Sequence, residues 1–204
     1  MKKIEPQNLR AFFAKYGANI AGPIWLSGSA LQFLIGAVTT SPLVIISSVF
    51  NLVAPASHAL FGHKNGGVIA GCLLGIIGTG LAVYPGLLNV EPGTIFGFCG
   101  YVVAATAGIF SKSLTIKFGE AKNILLRHTL GNPRRMMGLT CFALCRLPII
   151  YTGLAHGRGL SYITPFIIWG LGDLTFSLSR PNMGERSKVQ DQEKTADERQ
   201  YTAV

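Results

Sequence analysis

Two charged side chains stand inside long apolar runs: Arg146 within 136–156 and Asp173 within 159–179. A guanidinium and a carboxylate at such positions can neutralise each other, hold a polar solute or pass an ion along. Either charge alone near the centre of a bilayer costs ~2.5–3.5 kcal/mol even on a lenient insertion scale. At 1.5 Å per residue, Arg146 lies ~15 Å and Asp173 ~9 Å from the same basic end of their segments. The short turn His156-Gly157-Arg158-Gly159 makes the two segments an antiparallel hairpin. Arginine's long stem lets it reach along the axis. The spacing predicts an Arg146–Asp173 contact, direct or through water.

Other polar groups share this depth. Asn51 follows Ser47 by four residues and precedes His58 by seven, near one face of 41–61. Trp25, Ser29 and Gln32 recur at helical spacing, and Trp169 lies one turn before Asp173. A polar cavity open to the cytoplasm would gather Asn51, His58, Arg146, Trp169 and Asp173, with Trp25 and Gln32 deeper. It would bind an ion or small polar solute through hydrogen bonds, a charge and ring faces. The same residues can serve packing alone, Arg146 and Asp173 stapling two helices while Asn51 and Gln32 bond across a bundle. For His58 the plainer reading is a satisfied histidine near the interface.

Signatures of catalysis are missing. The sequence has no His-Glu-x-x-His, no Gly-x-Ser-x-Gly and no phosphate-binding glycine loop. Cys141 and Cys145 share a helix face without a nearby histidine, a poor metal site. With Cys72 and Cys99 they read as reduced packing residues in apolar segments. The chain is therefore expected to be no enzyme and to need no metal or cofactor.

The elements that must carry these residues follow from hydropathy. Of 204 residues, 49% are hydrophobic and 13% charged, against about 25% charged in ordinary soluble domains. Apolar stretches run over 18–38, 41–61, 66–88, 94–111, 136–156 and 159–179, with the fourth expected to continue toward Leu114. Most approach the ~20 residues that cross a ~30 Å hydrocarbon core. The expected fold is an all-α polytopic bundle of about six transmembrane helices. Breakers mark the joints: Ser41-Pro42, the polar turn from His63 to Gly67, and Glu91-Pro92-Gly93 before Thr94.

Charge sets the orientation. With the N-terminus inside, every lysine and arginine except Arg146 and Arg158 falls on one side, as cytoplasmic loops require. Both ends are then cytoplasmic, and a bacterial inner membrane suits the pattern. The net charge of +9 collects at the ends of apolar segments rather than in a stripe with interleaved aromatics, which excludes a nucleic-acid face.

Residues 1–17, with Leu9, Phe12, Phe13 and Tyr16 at helical spacing, read as an interfacial helix. In 112–131, Leu114, Phe118, Ala121 and Leu125 line one face and Lys112, Lys117, Lys122 and Arg127 the other, up to the stop at Gly131-Asn132-Pro133. This predicts a cytoplasmic amphipathic helix on anionic lipid, the 112–135 basic segment gaining ~1 kcal/mol per basic residue. Residues 180–204 read as a flexible cytoplasmic tail.

Small residues set the packing. Gly67, Gly71, Gly75 and Gly78 in the third stretch, and Gly93, Gly97, Gly100, Ala104 and Gly108 in the fourth, make flat helix faces for close approach. The simplest arrangement packs the two against each other; the alternative turns one toward a second copy or another membrane protein. Pro23, Pro55, Pro148 and Pro165 fall within stretches and suit kinks or hinges. The expected function is a small transporter or permease for an ion or small polar solute; the alternative is a non-catalytic membrane subunit or scaffold that anchors or assembles a larger complex.

Overall fold

A computed structural model of the chain describes residues 6–39, 49, 66–83 and 92–179. Every regular element among them is helical. Helix α1 (Pro6–Thr39) is continuous over 34 residues with Pro23 inside it. At 1.5 Å per residue it runs about 51 Å, so the expected interfacial helix and first span are one element. Helices α2 (Gly66–Val83) and α3 (Pro92–Ile109) follow, then the short α4 (Ser111–Phe118) and α5 (Ile124–His128). Helix α6 (Pro133–Thr140) leads through a π-helical turn (Cys141–Arg146) into α7 (Leu147–Ala155), and α8 (Leu160–Leu178) completes the described fold.

Two of these helices are long and apolar enough to cross a membrane, Leu9–Val38 and Pro133–Ala155. A third counts if Ile95–Ile109 and Ser111–Phe118, bent by 71°, make one broken span. This is fewer than six. The stretch 41–61 falls outside the described residues apart from Val49. In α2 the residues whose side chains are described make a shorter apolar helix, Val68–Ile77. Helix α8 is diluted by Asp173 and by Ser161, Thr164, Thr175 and Ser177. The fourth stretch does not continue straight to Leu114, because the axis turns at Phe110.

The segment 112–131, expected as one amphipathic helix, holds two short ones. Asn123 stops the first from continuing by capping the second, its side chain accepting from the backbone N–H of Leu125 at 2.9 Å and Leu126 at 3.3 Å. Asn132 caps α6 in the same way through the Arg135 N–H at 3.3 Å, with Pro133 in the first turn, where its missing donor costs nothing. The α7–α8 turn uses Gly157 at φ 62°, a left-handed conformation that glycine adopts without strain.

Helices α1 and α8 pack antiparallel. A Cβ on Gly172 would come 2.5 Å from the Trp25 ring, and one on Gly28 would come 2.6 Å from the Trp169 ring. Each indole thus lies over the other helix's glycine. Near the start of α1, Gly17 sits under the Thr175 carbonyl. Helix α3 runs antiparallel to α2, with Gly75 under the Tyr101 ring and Gly108 beside Ile69, and antiparallel to α6–α7, with Gly100 against Leu144 and Cys145. Gly97 meets only a Thr79 methyl at 3.9 Å. The buried cluster joining these helices includes Ala21, Ala104, Met137, Cys145 and Phe176. The start of α1, the end of α3, the start of α6 and the end of α8 all fall at one end of the bundle.

Gly138 is the tightest crossing, since a Cβ there would strike the Asp173 carbonyl oxygen in the backbone of α8. Backbone cannot swing aside as a side chain can. Gly138→Ala should therefore lower stability by about 1–3 kcal/mol, read as a fall in melting temperature in detergent. Gly97→Ala, with open space around its methyl, should leave it unchanged or slightly raised.

Candidate functional site

Arg146 owes its position to a local irregularity. The Leu147 N–H reaches back five residues to the Phe142 carbonyl, closing a π turn. Pro148, next in line, has no N–H to continue the ladder. Arg146 closes this wide turn at φ −109°, ψ −52° and is directed between α3 and α8. Gly170 on α8 makes room for the Phe142 ring of the same turn, 3.1 Å from an added Cβ, with the Arg146 Cβ beside it at 3.8 Å.

The guanidinium is held on several sides. Its Nε donates to Asp173 Oδ2 at 3.0 Å, an ion pair, and its Nη1 donates to the Tyr101 hydroxyl at 2.8 Å. Its plane lies 5.0 Å from the centre of the Trp169 ring and 5.6 Å from that of Tyr101, within cation–π range. The second carboxylate oxygen of Asp173 accepts from the Trp25 indole N–H at 2.9 Å. Trp169 donates its own N–H to the Trp25 carbonyl and to the Ser29 hydroxyl, both at 3.1 Å. Arg146 is 7% exposed and Asp173 3%. The pair is a sealed seam between four helices, with each charge met by its opposite and by neutral donors or acceptors.

Of the residues singled out from the sequence, the structure brings together Arg146, Asp173, Trp169 and Trp25. Gln32 is buried further along α1. Asn51 and His58 lie outside the described residues. Tyr101 was not among the candidates; its signal was a hydroxyl next to Gly100 in mid-helix. An open groove of about 470 Å³ lies on α1, lined by Phe12, Tyr16, Asn19, Ile20, Pro23 and Ile24, and shares no residue with the charge network.

Beside the network, Cys72 on α2, Cys141 and Cys145 fall within one buried cluster. The Cys145 thiol donates to the Gly97 carbonyl at 3.4 Å. All three are buried, Cys99 is exposed, and none is in a disulfide. Among the described residues no group of three or more His, Cys, Asp or Glu is arranged to hold a metal ion. No protein-family model, curated protein or solved structure matches this chain.

Removing one partner of a buried ion pair strands the other charge. Arg146→Leu or Asp173→Leu alone should cost about 3–5 kcal/mol, and the double replacement clearly less than their sum. Tyr101→Phe should cost about 1.5–3 kcal/mol, the range for a hydrogen bond to a charged group. Unfolding of the four variants in one detergent, treated as a double-mutant cycle, checks this.

Proposed function

We propose that the chain is an integral membrane protein of six crossings with both ends cytoplasmic, acting as a non-catalytic membrane subunit that anchors or assembles a larger complex. The observation carrying the functional half is the closure of the Arg146–Asp173 seam: a pathway residue needs access to solute, and these two are enclosed by Tyr101, Trp25 and Trp169. The topology is supported by the antiparallel pairing of α1 with α8, which sets the Pro6 and Leu178 ends on one side, an even number of crossings apart. That side also carries the basic 111–135 segment, in line with the rule for cytoplasmic loops.

A second reading, a small permease caught closed, is favoured by the π turn beside Pro148 and by Pro165 in α8. Such irregular turns concentrate at functional sites, and these would let α7 and α8 hinge about the ion pair.

Reporter fusions after Val204 and before Pro6 should both read cytoplasmic, and one inserted at Gly157 should read on the far side. A far-side signal at Val204 would overturn the topology. Purification in mild detergent should bring down a stoichiometric partner. A clean homo-oligomer would sink the subunit reading, and solute flux in vesicles lost in the folded Arg146→Leu/Asp173→Leu protein would establish the permease.

A further inference from the structure

The chain leaves α3 at Phe110 and turns by 71° into α4. A helix continuing through the bilayer would keep its axis, whereas one turned this far runs toward the membrane plane. The turn occurs at the end of the bundle shared by the start of α1, the start of α6 and the end of α8. Residues 111–135 are firmly built there. Asn123 caps α5, Asn132 caps α6, and the Arg135 Nη1 contacts His128 Nδ1 at 3.1 Å. Gly131 is folded so closely under the Phe118 and Arg127 carbonyls, at 2.5 and 2.7 Å from an added Cβ, that no side chain fits. The segment is a bracket of fixed shape.

Its outer surface mixes two kinds of group that water alone does not favour together. Ile116, Ile124 and Leu125 are 55%, 65% and 69% exposed, although each is a large aliphatic side chain. Lys112, Lys117, Lys122 and Arg127 are exposed among them, with Glu120 as the acidic residue of the stretch. Exposed aliphatic groups within reach of cations match a headgroup layer, where acyl chains take the first and phosphates the second.

We propose that this bracket is a lipid-binding device: it seats in the cytoplasmic leaflet, with Ile116, Ile124 and Leu125 among the acyl chains and the basic side chains gathering anionic phospholipid. The inference rests on the membrane reading above and adds to it a binding surface and the chemical class of its ligand. An acidic soluble protein is the competing occupant. It is less favoured because the bracket adjoins helices of membrane-crossing composition, which would hold its aliphatic groups at the level of the leaflet.

The test uses the full chain carrying Leu125→Trp, with Ile124→Trp as a second probe, in phosphatidylcholine vesicles. A small fraction of the lipid is brominated phosphatidylglycerol in one preparation and brominated phosphatidylcholine in the other. The added indole should be blue-shifted and quenched, and roughly two- to five-fold more by the brominated anionic lipid, as a gain shared over a few basic residues implies. Replacing Lys117, Lys122 and Arg127 with Gln should bring that ratio close to one. Quenching by neither lipid overturns the inference, and equal quenching by both removes the anionic preference. Flotation of the same vesicles after an alkaline wash reports separately on membrane residence, so failure of the bracket is distinguishable from failure of the membrane reading.

Discussion

A guanidinium stays charged inside a protein, so a helix that buries Arg146 must be built around that fact. In this chain four helices contribute. Helix α8 supplies the counter-charge, α3 the Tyr101 hydroxyl, α1 the indole that completes Asp173, and the π turn the direction of the arginine itself. Among helices apolar enough to cross a membrane, as at least two of these are, hydrocarbon would give no hydrophobic drive to associate, and packing and polar contacts would carry it. The charge network ties together helices that otherwise meet through glycine and aromatic surfaces.

Those surfaces are arranged to let the network close. Trp25 and Trp169 each lie against a glycine on the opposite helix, which brings α1 and α8 near enough for an indole to reach Asp173. Gly75 does the same for the Tyr101 ring, and Gly138 holds α6 against the backbone of Asp173 itself. Side chains at these positions would separate the backbones and lengthen the polar contacts. Steric and electrostatic requirements fall on one place, so a change in either is felt in both.

Much of this was legible in the sequence. A charge in an apolar run announces itself, and the hairpin spacing of Arg146 and Asp173 leaves few partners within reach. The indoles of Trp25 and Trp169 were legible because they fall at helical spacing with other polar groups. Four features were not. The π turn depends on how the ladder yields before Pro148, which hydropathy does not record. Tyr101 looks like one more aromatic in an apolar helix until the direction of its hydroxyl is known. The break in 112–131 is decided by Asn123 capping a new helix, a local hydrogen bond stronger than the amphipathic rhythm running across it. In the same way, the turn at Phe110 cuts short a stretch that by composition alone would run on.

The order of residues along the chain gives the ion pair a history. Arg146 precedes its carboxylate by 27 positions, while Trp25 and Tyr101 come before both. During synthesis the arginine emerges when Tyr101 and Trp25 are already made, while Trp169 and its counter-charge are not. The helix from Pro133 to Ala155 is therefore made before the carboxylate that neutralises its cation, and the seam can close only once α8 has followed through the turn at Gly157. A chain halted between these helices would hold a buried guanidinium beside a tyrosine hydroxyl, with neither the counter-charge nor the Trp169 ring to complete it.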